Sequence, residues 1–281
     1  MKTTRFNPHL NTPPLLFAVA AMLVAFSSAR AAGPVSVYYL TAGQEGKLLG
    51  VQGSTVVFDK PMSPAGDQFP IAVNSTVRTL GWRTGFTGAE YTLAGVPTGT
   101  TYPFPAGSFG DFYDGATNGT ANFAWDFNNG AAYRFSATWT APGLLFTLGT
   151  GAGRILGITY DGSNNSLWLS GWDGTIGTKI GNYTLGGTLL SSFTVAHDEN
   201  AALALDPADG TLWVSNRNTL FTSLTLEQYT RTGTLLGSQV FAGAQATENV
   251  LGGEFRIVPE PGSAGLLSLG ALLLAARRRK A

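Results

Sequence analysis

From residue 32 to 258 the apolar positions fall in short runs rich in Val, Ile, Leu, Thr, Phe, Tyr and Trp, each broken by Gly, Asn, Asp or Pro. Short runs with such breakers read as β-strands joined by tight turns, and no stretch of this span carries the spacing of an amphipathic helix. The two ends of the chain differ. Leu15 to Phe26 and Ala264 to Ala276 are continuous, charge-free apolar runs of 12 and 13 residues. Pattern alone therefore divides the chain into a leader (1–31), a β-rich domain (32–258) and a tail (259–281).

The β-rich domain repeats itself. Ile158–Ser170 (ITYDGSNNSLWLS) matches Leu203–Ser215 (LALDPADGTLWVS) at an offset of 45. Tyr183-Thr184 with Gly187-Thr188-Leu189-Leu190 then matches Tyr229-Thr230 with Gly233-Thr234-Leu235-Leu236 at 46. Upstream, Tyr113-Asp114-Gly115 and Trp125-Asp126 align with Tyr160-Asp161-Gly162 and Trp172-Asp173 at 47. Weaker copies suggest one strand repeated at Tyr39, Tyr91, Tyr133, Tyr183 and Tyr229, and another at Phe69–Val73, Phe109–Tyr113, Ile155–Tyr160, Ala202–Asp206 and Gly253–Val258. A period of 41–52 residues with about four strands per unit is the size of a β-propeller blade. The domain opens on one strand type and closes on the type that begins the other units. Pairing first with last would complete one blade from both termini and leave no free end strand. The expected fold is all-β, a propeller of about five four-stranded blades closed by both termini, with a two-sheet jelly-roll sandwich as the alternative. In strand and loop style the repeat resembles NHL-like and YVTN-like propellers. Trp168 and Trp213 take equivalent places and should pack blades together. Trp82, Trp125, Trp139 and Trp172 are less constrained, and any exposed one could stack on a sugar ring.

Charge changes the picture only once the ends are set aside. The whole chain is formally neutral, yet residues 32–258 hold ten basic and sixteen acidic side chains, about −6. An acidic domain argues against nucleic acid as a partner. There is no Cys, so neither disulfides nor thiol chemistry enters. In the leader, Lys2 and Arg5 precede the 12-residue apolar run, and small residues follow at Ala29, Ala31 and Ala32. This three-part pattern predicts a secretory signal helix cleaved after Ala31. At 1.5 Å per residue the run reaches about 18 Å, short of the roughly 30 Å apolar core of a bilayer.

The tail reverses that order. Val258-Pro259-Glu260-Pro261-Gly262 leads into the apolar run 264–276, and Arg277, Arg278, Arg279 and Lys280 close the chain. The apolar run predicts a short transmembrane helix, and the basic cluster stops translocation and stays inside. Pro259-Glu260-Pro261, a short apolar helix and an Arg-rich end together resemble the PEP-CTERM sorting signal of Gram-negative bacteria. That resemblance implies recognition by an exosortase, an integral membrane enzyme. It also implies residence at the cell surface or in the extracellular matrix after a transient inner-membrane stage, often in a setting of exopolysaccharide or biofilm production. It implies no activity for the domain that carries the tail.

Candidate chemistry in the domain is sparse. His197 is the only His outside the leader, so imidazole base chemistry rests on it alone, and its setting, Ala196-His197-Asp198-Glu199-Asn200, reads as a solvated turn. One His and no Cys make a zinc site an unsuitable reading. The Asp-rich segments beginning at Asp161 and Asp206 lack the bidentate Glu of a calcium loop and sit where a hairpin turn needs Asp, Asn and Gly. Gly149–Gly153 precedes a strand pattern, so it offers no helix N-terminus to a phosphate. No catalytic, cofactor or metal-binding residue is assigned. Two classes of function follow: a non-enzymatic surface or matrix module binding an extracellular polysaccharide or a surface protein, or, alternatively, a propeller enzyme acting on extracellular polysaccharide through loop carboxylates.

Overall fold

The computed structural model describes residues 33–149, 154–173, 176–216, 224–241 and 250–256. The strands, in chain order, are β1 (Tyr38–Ala42), β2 (Lys47–Gln52) and β3 (Thr55–Pro61), then β4 (Gln68–Val73), β5 (Val77–Gly81), β6 (Thr87–Tyr91) and β7 (Pro97–Pro103). They continue with β8 (Phe112–Thr117), β9 (Ala121–Asp126), β10 (Ala131–Ser136) and β11 (Gly143–Thr147), and with β12 (Ile155–Asp161), β13 (Ser166–Gly171), β14 (Lys179–Thr184) and β15 (Leu189–Thr194). Last come β16 (Asn200–Leu205), β17 (Leu212–Asn216), β18 (Leu224–Tyr229), β19 (Leu235–Phe241) and β20 (Val250–Phe255). They form five four-stranded antiparallel sheets, and the first has the order β20-β1-β2-β3. This is the five-bladed propeller expected from the repeat, with blade 1 completed by the last strand. β20 pairs with β1 from Tyr38↔Phe255 to Ala42↔Val250, so the ring closes through backbone hydrogen bonds between distant parts of the chain.

β4, β8, β12, β16 and β20 are the innermost strands, and each packs against the next around the axis. Every inner strand has a register shift against its partner, between Gln68 and Ile71, Phe112 and Gly115, Ile155 and Gly157, and Ala201 and Ala204, and opposite Thr41/Ala42 in β20. A bulge leaves residues out of the ladder and bends the strand. The packing between blades uses the expected tryptophans: Trp168 and Trp213 are each 1% exposed.

Three details of the repeat differ from the sequence reading. The turns after the third strands begin at Thr92, Ser136, Thr184 and Thr230, each closed by the same pair of backbone bonds. The residue just before them is Tyr91, Phe135, Tyr183 or Tyr229, so Phe135 and not Tyr133 is the structural equivalent. Tyr39 lies on β1, the second strand of its blade, and belongs to another position. In the turn beginning at Ser136, Trp139 sits at φ 59°, where the other three turns carry Gly95, Gly187 and Gly233; its side chain is fully buried against Phe135. Finally, the hairpin registers Thr117↔Asn122 and Tyr160↔Leu167 place Asp161 at a turn but Asp114 in mid-strand. A match of three residues cannot tell these two environments apart.

The leader and tail lie outside the described residues, and with them the signal and transmembrane helices. Among the described residues no helix is long and apolar enough to cross a membrane.

Candidate functional site

The axis is closed by a carboxylate. Asp114 is fully buried, and its Oδ1 accepts the backbone N–H groups of Gly115 and Gly253 at 2.8 Å each, while Oδ2 accepts those of Ile158 and Leu203 at 3.0 Å each. Counted from the hairpins, these four donors occupy the same place on four different inner strands. Their N–H groups converge, and one side chain gathers them. Burial pushes the Asp114 pKa well up, against the four N–H donors. Glu254, on the next inner residue of β20, is pushed up by burial and then by Asp114's charge. Its Oε1 accepts Phe255 N–H at 3.0 Å, and bonds from Phe255, Thr117 and Thr159 oppose that rise. The pair lies inside the core, at 0% and 4% exposure, and no substrate can reach it.

Function must therefore be sought on the two faces of the ring. On one face the inner strands begin, and there the positions two before the axial donors are Phe69, Tyr113, Leu156, Ala201 and Leu251, which pack together with Phe127, Trp82 and Trp172. Trp82, Phe127 and Trp172 are themselves equivalent, each just beyond a second strand and 45 residues from the next. They form a continuous aromatic arc. Ring centroids run 5.7 Å from Phe86 to Trp82, 5.6 Å to Tyr113, 5.1 Å on to Phe127 and 6.3 Å to Trp172. Trp82, Tyr113 and Trp172 are half-buried, so each keeps part of its ring in solvent. Of the four less constrained tryptophans, Trp125 and Trp139 are buried in the blades, and only Trp82 and Trp172 reach this face. Two guanidinium groups lie on the arc: Arg83 at 3.9 Å over Trp82, and Arg154 at 4.7 Å over Phe127. Burial and the nearby Asp111 push the Tyr113 hydroxyl up to about 12, so it is a neutral donor at ordinary pH.

The opposite face carries the hairpins between first and second strands, and both ends of the domain leave there. Arg256, just after β20, donates to Asn74 O in the β4–β5 hairpin at 3.2 Å. Before β1, Val35 and Ser36 donate their N–H groups to Asp206 Oδ2, and Ser36 Oγ donates to Oδ1 at 2.6 Å. The two Asp-rich segments are turns, as read from sequence. Asp161 accepts Ser163 N–H and Oγ–H and the Trp168 indole N–H, and Asp206 accepts Ala208 N–H besides its tie to the N-terminal strap.

His197 corrects an expectation. It is not a solvated turn residue: its side chain is 12% exposed and held by an ion pair, with Nε2 at 2.7 Å from Glu227 Oε2. Its Nδ1 lies 3.1 Å from Asp198 O. Both neighbours are acceptors, so only the doubly protonated ring can donate to both of them. Burial opposes that charge, but the bonds to Glu227 and Asp198 raise the pKa above 6.5. Burial likewise opposes the Glu227 charge, yet bonds from His197, Tyr229 and Asn216 hold its pKa at about 2. The His contribution is complete below 6.5 and is lost as pH rises through the raised value. The Glu contribution is complete above 4.5 and is lost as pH falls toward about 2. His197→Gln is therefore expected to lose about 1–2 kcal/mol near pH 5.5 and much less at pH 9. Urea midpoints at the two pH values check this; an equal loss at both would show that charge plays no part.

The sorting and processing residues expected from sequence, Ala29, Ala31, Ala32, Pro259, Glu260, Pro261, Arg277, Arg278, Arg279 and Lys280, lie outside the described residues. The aromatic arc escaped the sequence reading because Trp125 was aligned with Trp172. The true equivalent is Phe127, and the 45-residue spacing of Trp82, Phe127 and Trp172 was the available signal.

Fold and site define a β-propeller with a closed axis and one aromatic face. Solved structures agree on the fold. A chain of a nidogen/laminin complex is similar at TM-score 0.52 and 14% identity, over 78% of this chain and 97% of that one. A Bacteroides thetaiotaomicron protein of unknown function is similar at TM-score 0.51 and 15% identity, over 77% of this chain and 64% of that one, so this chain spans less than two thirds of it. No family model and no curated protein matches the sequence.

Proposed function

We propose that this is an exported binding module of the cell surface or extracellular matrix, sorted by an exosortase through its Pro-Glu-Pro tail, and that its aromatic face takes an extracellular polysaccharide or surface protein. One observation carries the reading: the half-buried aromatic arc lies on the face opposite both ends of the described domain. A tail fixed in the inner membrane would leave from the hairpin face and leave the arc pointing outward. The closed axis favours binding over catalysis, because the two buried carboxylates lie where no cleft reaches them. A similar propeller that comes from a complex between two proteins is in keeping with a binding role. The alternative, an enzyme acting on polysaccharide, would need two facing carboxylates in a cleft, about 5–10 Å apart.

Two measurements test this. Changing Pro259, Glu260 and Pro261 together to Ala should strand the uncut protein in the inner membrane; wild-type-like fractionation with residues 262–281 retained in both forms would end the sorting hypothesis. Changing Trp82 and Trp172 together to Ala should reduce retention on the producer's isolated matrix by about tenfold while the circular dichroism spectrum stays the same. Unchanged retention would remove the aromatic face from consideration.

A further inference from the structure

One corner of the aromatic face is built differently from the rest. Arg154 and Arg83 are both stacked on rings of the arc, but their guanidinium edges have different fates. Over Phe127, Arg154 turns its edge to the Asp173 carboxylate, donating from Nε at 2.8 Å and again from a terminal nitrogen. Over Trp82 and Phe86, at 3.9 and 5.7 Å, the exposed Arg83 makes no ion pair among the described residues. At Arg154 the fold supplies its own carboxylate. At Arg83 the same fork meets no carboxylate among the described residues. Stacking fixes a guanidinium and strips water from its faces, leaving the planar N–H edge prepared for bidentate carboxylate binding.

Beside Arg83 is an open groove of about 310 Å³ between Thr84–Thr87 and Pro103–Gly107. Phe86 and Phe104 give it apolar walls, and Thr84 and Thr87 give it hydroxyls. Phe86 is shared, since Arg83 packs on the same ring that lines the groove. Aromatic walls suit the C–H faces of a pyranose, and hydroxyls suit its edge. A cation at the mouth then selects a sugar that carries an acid.

We propose that this corner binds a carboxylated sugar, a uronate unit of an acidic polysaccharide, with its ring in the Phe86/Phe104 groove and its carboxylate on Arg83. The inference rests on the binding reading above and narrows it to one ligand class. The site is local, because the domain as a whole is acidic and would repel a polyanion elsewhere; binding should therefore weaken with salt yet stay confined to this corner.

The test uses the mature full chain in affinity electrophoresis with three probes: polygalacturonate, the same polymer with its carboxylates reduced to alcohols, and poly-glutamate. Polygalacturonate should retard the protein at least about tenfold more strongly than the reduced polymer. Arg83→Gln should abolish that difference, and Arg83→Lys should restore part of it. Phe104→Ala should weaken both polymers. Equal retardation by both polymers, or an Arg83→Gln variant that behaves as wild type, overturns the acidic-sugar inference while leaving the aromatic face as a sugar site. Arg83-dependent binding of poly-glutamate alone overturns it in favour of an acidic peptide. No retardation by any probe also overturns it, and the matrix-retention measurement then decides the broader reading separately.

Discussion

Asp114→Ala is expected to destabilise the propeller by at least ~3 kcal/mol, and Asp114→Asn nearly as much. The alanine removes the carboxylate that meets four inward N–H donors, those of Gly115, Ile158, Leu203 and Gly253. Each donor left dry in the core costs about 1–3 kcal/mol, reduced where the strands relax or a water enters. The asparagine keeps the shape but points an NH₂ at two of the donors. Because the donors sit on β8, β12, β16 and β20, the loss falls on the convergence of four blades. Equilibrium urea unfolding followed by tryptophan fluorescence measures it. A midpoint within error of wild type for either variant would mean that the axis is held by packing alone.

The second large effect is expected at the closing seam. A Cβ on Gly252 would lie 2.0 Å from Phe69 O and 2.4 Å from Thr41 Oγ1. Neither can step aside easily, since Thr41 Oγ1 donates to Phe69 O at 2.6 Å and both belong to packed strands. Gly252→Ala should therefore push β20 off β4 and cost about 3 kcal/mol or more, the upper range for overpacking. Gly237→Ala is the matched control, because nothing lies within 4 Å of its Cβ position on the exposed strand β19. It should change stability by less than about 0.5 kcal/mol. Equal effects from the two substitutions would show that the seam does not limit stability.

How far the sequence could be read is visible in particular residues. Trp168 and Trp213 were recognisable as equivalents because each follows an Asp-led hairpin and a Leu, a context of thirteen matched residues. Closure of blade 1 by β20 was likewise readable, because the first and last strands had complementary phase. Where the matched context shrank to two or three residues, the alignment slipped. Tyr133 took the place of Phe135, Trp125 took that of Phe127, and Asp114 was grouped with the turn residue Asp161. His197 was misread for a different reason: its partner Glu227 lies 30 residues away, and nothing local announces the pairing.

The sequence by itself determined the all-β class, the blade-sized period, the closure through both termini and the hairpin role of Asp161 and Asp206. These depend on alternation, breakers and spacing, which act over a few residues or recur at a fixed interval. Only the tertiary structure decided that Asp114 closes the axis, that Trp82 and Trp172 share one face while Trp125 and Trp139 are buried, and that Arg154 is paired with an acid while Arg83 makes no ion pair among the described residues. Each of these depends on which groups of different blades converge. Those groups lie far apart in sequence, so no local alternation or fixed spacing records their meeting.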